Sequence, residues 1–217
     1  AAHDPALGAV DFQNSCAPAV QAEFQRGVAM LHSYWFGYGG KTFRAVLEKD
    51  PGCAMAYWGL ALDLLGNSLS GPPSRQNADA AWKILEDARA VPVKTERERA
   101  WLNAVRAYFR NHASVPLAKR LADYNDEMRK IASIYKNDVE AQVFYALTLQ
   151  ASAPKADKTY ANQHKSAAIL ERLLQQDPQH PGVAHFLIHA YDYPPLAEKG
   201  LPAARRYAGL APAASHA

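Results

Sequence analysis

Two histidines and an aspartate near the C-terminal end of the sequence have the spacing of successive turns of a helix. His185 and His189 are four residues apart and Asp192 lies three residues further on, so a helix presents all three on one face. Two imidazoles and a carboxylate suit zinc, copper, nickel or iron. The spacing therefore predicts a transition-metal site at these residues. The alternative is that they line a groove and contact a peptide.

Catalytic motifs built from similar residues do not fit the sequence. A zinc protease needs a glutamate directly after the first histidine, and Phe186 occupies that position. The glycine-rich residues 37–42 invite comparison with a phosphate-binding loop, but Trp35 replaces the first glycine of that motif and no strand is predicted before it. No Ser/His/Asp or Cys/His arrangement is recognisable. We predict no catalytic residues and a non-enzymatic protein.

Most of the chain is predicted to be helical, because apolar residues recur at intervals of three and four and strand patterns are nearly absent. Thr95 and Glu98 form a capping-box pattern that marks a helix start. Pro51 and Pro178 each follow an aspartate where one helix stops and the next is prepared. The predicted helices cover residues 18–34, 38–49, 53–66, 76–90, 96–111, 116–135, 138–152, 160–176, 181–192 and 201–210.

The helices show signs of a repeat. Tyr57, Leu60 and Leu64 match the pattern of large residues in the first helix of a tetratricopeptide (TPR) repeat. Pro178 and Pro212 are 34 residues apart, which is the length of one such repeat. A plain helical bundle would not require this proline spacing, so the pattern predicts a helical-repeat fold.

The predicted fold is all-α and TPR-like, with antiparallel helix pairs stacked into a short right-handed superhelix over residues 18–217. An irregular arm, residues 1–17, precedes it. Stacked repeats bring equivalent positions side by side. His216 lies four residues after Pro212 and begins the next repeat. We therefore predict it as a further metal ligand, approaching His185 from the neighbouring helix.

A stacked repeat has a concave face that commonly binds an extended or helical segment of another protein. Phe24, Trp58 and Leu62 lie one residue from the packing positions and are predicted to line that groove. The sequence therefore favours a scaffold that binds a protein or peptide. The alternative is a metal-binding protein with a role in metal handling or redox chemistry. The formal net charge of +3 is too small to indicate nucleic-acid binding, and no apolar stretch is long enough to span a membrane.

Four stretches resemble signature sequences of a family of exported bacterial TPR-containing proteins. They are CAMAYWG at residues 53–59, HPGVAHFLIH at residues 180–189, LHSYWF at residues 31–36, and GLPAA at residues 200–204 followed by Ala211-Pro212. The family has no settled biochemical activity to carry over. Its members continue past the end of this chain with more histidines, so the resemblance also implies that residue 217 is not the natural end.

Considered by themselves, the two cysteines, Cys16 and Cys53, do not indicate whether they form a disulfide. They would pair in an oxidising compartment and stay reduced in cytosol. Members of the family that this chain resembles tend to carry both. The resemblance therefore implies a disulfide between them and a periplasmic or secreted protein.

Overall fold

The computed structural model describes residues 2–4 and 6–214, and each of the ten predicted helices is confirmed in it. The last of them begins earlier than predicted, at Ala197. The helices are α1 (Gln21–His32), α2 (Tyr38–Lys49), α3 (Ala54–Leu65), α4 (Arg75–Asp87), α5 (Glu96–Phe109), α6 (Leu117–Ile134), α7 (Val139–Ala151), α8 (Ala161–Gln176), α9 (Pro181–Tyr191) and α10 (Ala197–Leu210).

The helix starts follow the polar caps of the sequence. The Thr95 hydroxyl accepts the N–H of Glu98 at 3.1 Å, as the capping pattern predicts. The Glu98 carboxylate, however, accepts the N–H and hydroxyl of Ser15 at 2.7 and 2.8 Å. One half of the capping box is thus used to attach the N-terminal arm to α5. Asp138 caps α7 in the ordinary way, since its side chain accepts the N–H of Ala141.

Helices that are consecutive in the chain pack against each other, from α1 with α2 to α9 with α10. The first helices of successive pairs also touch, as in α1 with α3, α3 with α5 and α7 with α9. In addition, α9 contacts α1. The all-α architecture built from consecutive helix pairs is therefore confirmed, and the contact between α9 and α1 brings the last pair back to the first. The finer TPR geometry stays a prediction.

The N-terminal arm packs against helices α1, α3 and α5. It contains a short antiparallel hairpin of β1 (Ala2–Asp4) and β2 (Gly8–Val10). This hairpin was not predicted, because the arm was expected to be irregular. Beyond it, the fully buried ring of Phe12 lies 5.7 Å from that of Phe24 and 4.8 Å from those of Trp58 and Trp101. These aromatic contacts cover the residues of α1 and α3 at which an open groove was expected.

The prediction that Phe24, Trp58 and Leu62 line a binding groove must therefore be corrected. Phe24 and Trp58 are 0% exposed and Leu62 is 6% exposed, so none of them offers an apolar surface to a partner. Phe24 and Trp58 belong to the core because the arm packs over them. Leu62 borders only a small apolar cavity of about 30 Å³. A protein segment cannot dock at these positions.

The two cysteines lie at bonding distance, with an S–S separation of 2.00 Å between Cys16 and Cys53. This pair joins the arm to the start of α3. Next to it, the Asp50 carboxylate accepts the N–H of Ala17 at 2.7 Å, so the arm is also held by a hydrogen bond. Among the helices of the described residues, none is both long and apolar enough to cross a membrane.

Candidate functional site

The first turn of α9 is built so that the helix can approach the end of α1 closely. His180 caps α9, its Nδ1 accepting the N–H of Val183 at 3.3 Å, and Pro181 occupies the first helical position. Gly182 follows, where a Cβ atom would lie only 2.4 Å from Nδ1 of His32. Glycine at this position allows the α9 backbone to pack directly on the His32 ring.

One turn further along α9, two histidines point their Nε2 atoms at each other. His185 Nδ1–H donates to the backbone carbonyl of His32 at 2.6 Å, because a carbonyl oxygen can only accept. This bond fixes the tautomer of His185 and leaves its Nε2 with a lone pair. The Nε2 of His189 lies 3.0 Å from that atom and donates its hydrogen to it. We call these two residues the His185–His189 pair.

Aromatic rings hold the pair in place. The Tyr207 ring is stacked on His185 at 4.9 Å with an interplanar angle of 5°, and the Tyr34 ring lies edge-on at 4.5 Å. Tyr34 also stacks on His189 at 5.6 Å. Burial raises the pKa of both Tyr34 and Tyr207, so these phenols stay neutral beside the imidazoles. His185 is buried and His189 is half-buried, so the pair lies at the boundary between core and surface.

A second cluster includes the side chain of His32 and consists of His32, Glu140 and His180. The two carboxylate oxygens of Glu140 lie 2.8 Å from His32 Nε2 and 2.8 Å from His180 Nε2. All three side chains are buried. We call this group the Glu140 cluster. A surface cleft of about 610 Å³ is lined by Glu140 and His180, so the cluster lies directly beneath solvent.

The charges in the Glu140 cluster follow from burial and hydrogen bonding. Burial raises the pKa of Glu140, but the neighbouring rings of His32 and His180 outweigh this effect and hold the pKa well below its usual range. Burial lowers the pKa of His32 and outweighs the attraction of Glu140. The carboxylate is therefore ionised and accepts one N–H from each imidazole.

The Glu140 cluster could hold a metal ion by proximity, since its ligand atoms lie within 4.8 Å of one another. The positions of the imidazole protons, however, disfavour a bound metal ion. A metal at Nε2 of His180 would move the ring proton to Nδ1, which now accepts the N–H of Val183. His32 Nδ1 has no hydrogen-bond partner among the described residues and is packed against Gly182, so it lacks the acceptor that usually orients a ligating histidine.

The predicted metal residues are only partly brought together. His185 and His189 are adjacent, although His185 is buried rather than facing an open groove. Asp192 is exposed and lines a cleft together with His189, and it is not part of the His185–His189 pair. His216 lies outside the described residues. The metal prediction therefore rests on the two histidines of α9.

Sequence reasoning missed the Glu140 cluster altogether. Glu140 is separated from His32 by 108 residues and from His180 by 40 residues, so no local spacing connects them. Only Glu140 itself carries a signal, because it is the one charged residue of α7, whose other residues are mostly apolar. A carboxylate that is 1% exposed on such a helix needs partners, and the fold supplies them.

Comparisons with family models, with curated proteins and with solved structures give no match for this chain.

Proposed function

We propose that this chain is a metal-binding helical protein. Among the residues that the structure describes, its metal ligands are Nε2 of His185 and Nε2 of His189. The observation that supports the proposal is the 3.0 Å separation of the two Nε2 atoms together with the bond from His185 Nδ1 to the His32 carbonyl. Ligating histidines typically donate their second N–H to a carbonyl or carboxylate, which fixes the ring and raises its basicity.

The spacing of the two nitrogens suits one small cation. Two nitrogens bound tetrahedrally to zinc at about 2.0 to 2.1 Å are about 3.3 Å apart, close to the separation in the His185–His189 pair. Binding would displace the Nε2 proton of His189, which would move to Nδ1 of the same ring, while Nδ1 of His185 would keep its own proton. Imidazole suits zinc, copper and nickel, and iron remains among the candidates. His216 stays the predicted further ligand.

Isothermal titration of the chelator-treated protein with Zn²⁺, Cu²⁺ and Ni²⁺ tests the proposal. We expect one saturable site in the wild type for at least one of these ions and its loss in His185→Ala/His189→Ala. The matched control is His112→Ala/His164→Ala, which removes two imidazoles outside the pair and should keep the site. Equal binding by the wild type and the α9 double variant would refute the proposal.

We also propose that the protein works outside the cytoplasm, since disulfides persist in oxidising compartments and Cys16 is paired with Cys53. Thiol titration of unreduced, denatured protein from its natural host should find no free thiol. The scaffold role remains a prediction. No residues are now assigned to it, because the positions that were predicted to line the groove are buried.

A further inference from the structure

The disulfide has a carboxylate close to both of its sulfurs. Sγ of Cys16, Sγ of Cys53 and a carboxylate oxygen of Asp50 all lie within 4.8 Å of one another. Two cysteine sulfurs and a carboxylate oxygen are ligands that zinc accepts in tetrahedral sites. The thiolate is the form of cysteine that binds a metal, so these sulfurs become ligands only when the bond between them is reduced.

The carboxylate of Asp50 is oriented by the backbone on both sides of the disulfide. One of its oxygens accepts the N–H of Ala17, which follows Cys16, at 2.7 Å. The other oxygen accepts the N–H of Gly52, which precedes Cys53, at 3.1 Å. Hydrogen bonds of this kind typically orient a ligating carboxylate. Each oxygen also keeps a second lone pair that can bind a cation.

Contacts other than the disulfide hold the two cysteines near each other. The Glu98 carboxylate accepts the N–H and the hydroxyl of Ser15 at 2.7 and 2.8 Å. The Gln25 side chain accepts the N–H of Phe12 at 2.7 Å and donates to the Phe12 carbonyl at 2.8 Å. These bonds attach the arm to α5 and α1, so reduction of the disulfide leaves the arm in place.

The geometry of the reduced cysteines suits one zinc ion. Two thiolates bound to zinc at about 2.3 Å in a tetrahedral site are about 3.8 Å apart. Sulfurs that are no longer bonded separate to van der Waals contact, which is close to that distance. Cys53 is the N-cap of α3, where the positive end of the helix dipole favours an anionic sulfur. Asp50 is half-buried, so solvent has access to the fourth position of the metal.

We propose that the reduced chain holds a zinc ion through Sγ of Cys16, Sγ of Cys53 and a carboxylate oxygen of Asp50, and that disulfide formation releases it. Each thiol loses its proton when it binds the metal. On oxidation, the two thiolates give two electrons to the disulfide of a thiol oxidant, which takes up two protons and leaves as two thiols while the zinc ion departs. This site needs no metal at the His185–His189 pair, so it stands separately from the proposed function.

Cobalt titration of the full chain tests the proposal, because Co²⁺ bound to a thiolate gives a near-ultraviolet charge-transfer band that imidazole ligands do not give. The chain is refolded in a phosphine reductant, which adds no thiol, and thiol titration checks that both cysteines are reduced. We expect a band that saturates at a single equivalent of Co²⁺, disappears when Zn²⁺ is added and is absent from the unreduced chain. A reduced chain without the band, or one that stays unfolded with the metal present, would overturn the proposal.

Oxidation of the zinc-loaded, reduced chain gives a second readout. Oxidised glutathione should remove the free thiols and release a single equivalent of zinc, which a chromogenic chelator reports over the same time course. Zinc that stays bound after the thiols have disappeared would contradict a site built from the two sulfurs.

Variants separate the ligands from one another. Asp50→Asn keeps the shape of the side chain and should bind Co²⁺ about tenfold more weakly while the charge-transfer band remains. Asp126→Asn, at an exposed position on α6, is the matched control and should bind as the wild type does. Cys16→Ser/Cys53→Ser should lose the band. Equal affinity of Asp50→Asn and the control would contradict the assignment of Asp50 as a ligand.

Discussion

The two groups of histidines that meet at His32, the Glu140 cluster through its side chain and the His185–His189 pair through its carbonyl, contain the same kind of ring but differ in their hydrogen bonds. In the Glu140 cluster, both imidazoles direct an N–H at a carboxylate, and Nδ1 of His180 accepts a backbone N–H. In the His185–His189 pair, Nδ1 of His185 donates to a carbonyl and the two Nε2 atoms face each other. The hydrogen-bonding role of Nδ1, an acceptor in His180 and a donor in His185, thus distinguishes a structural clamp, a cluster held together by its hydrogen bonds, from a candidate metal site.

Removal of the carboxylate of the Glu140 cluster should have the largest effect. Glu140→Ala leaves two buried imidazole N–H groups without their acceptor, and we expect the free energy of unfolding to fall by about 2 to 6 kcal/mol, since each unsatisfied buried donor costs about 1 to 3 kcal/mol. Denaturant unfolding measures it. Glu48→Ala, at an exposed position on α2, should change stability by less than about 0.5 kcal/mol. A Glu140→Ala protein as stable as this control would show that the cluster is no clamp.

Opening the disulfide should lower stability without touching either cluster. The sulfurs close a loop with a sequence separation of 37, for which about 2 to 4 kcal/mol is expected. Cys16→Ser/Cys53→Ser should therefore unfold at lower denaturant concentration yet bind metal with the same stoichiometry under conditions where it is folded. Loss of metal binding in the folded variant would mean that the arm, and not the α9 pair alone, shapes the metal site.

Gly182 lies between the two clusters, and filling its space should disturb both. An alanine Cβ would lie 2.4 Å from His32 Nδ1, and overpacking of this kind costs about 1 to 3 kcal/mol. Gly209→Ala is a matched control in α10, where a Cβ would meet nothing within 4 Å and a gain of about 0.5 to 1 kcal/mol is expected. Thermal unfolding of the two variants should shift in opposite directions, and equal shifts would contradict the close approach of α9 to His32.

Acidification should weaken the Glu140 cluster in two stages. The folded-state pKa of His32 is lowered, so its contribution is lost as pH falls below about 6.5, the ordinary histidine value. The folded-state pKa of Glu140 is also lowered, so its contribution is present above about 4.3 and is lost as pH falls further. Each extra proton taken up on unfolding lowers stability by about 1.4 kcal/mol per pH unit.

Unfolding curves between pH 7 and pH 3 measure both stages. Glu140→Gln should keep the loss below about pH 6.5, because burial still lowers the pKa of His32 and the opposing carboxylate is gone. It should show a shallower slope below about pH 4.3, since it has no carboxyl group to protonate. Parallel curves for the wild type and this variant would contradict the role assigned to Glu140.

Much of the fold could be predicted from the sequence because its signals are local. The period of apolar residues gave the ten helices, and the Thr95 cap marked the start of α5. The spacing of His185 and His189 likewise placed their rings on one helix face. Each of these inferences needs only a few neighbouring residues, and helix geometry supplies the rest.

The predictions that failed concern contacts between residues that are distant in the sequence. Nothing near Phe12 indicates that it covers Trp58, so the groove was expected to be open. The partners of Glu140 come from α1 and from the cap of α9, and no periodic pattern connects them. Asp192 shares a helical stripe with His189, but α9 ends at Tyr191 and the backbone turns away there.

We propose a metal at the His185–His189 pair and none at the Glu140 cluster. Anomalous diffraction at the zinc edge, from crystals of the zinc-loaded chain, locates the ion directly. We expect a peak about 2.0 to 2.1 Å from Nε2 of both His185 and His189, with the His32–Glu140 and His180–Glu140 hydrogen bonds unchanged. A peak beside Glu140, or zinc held elsewhere with none at the pair, would contradict it.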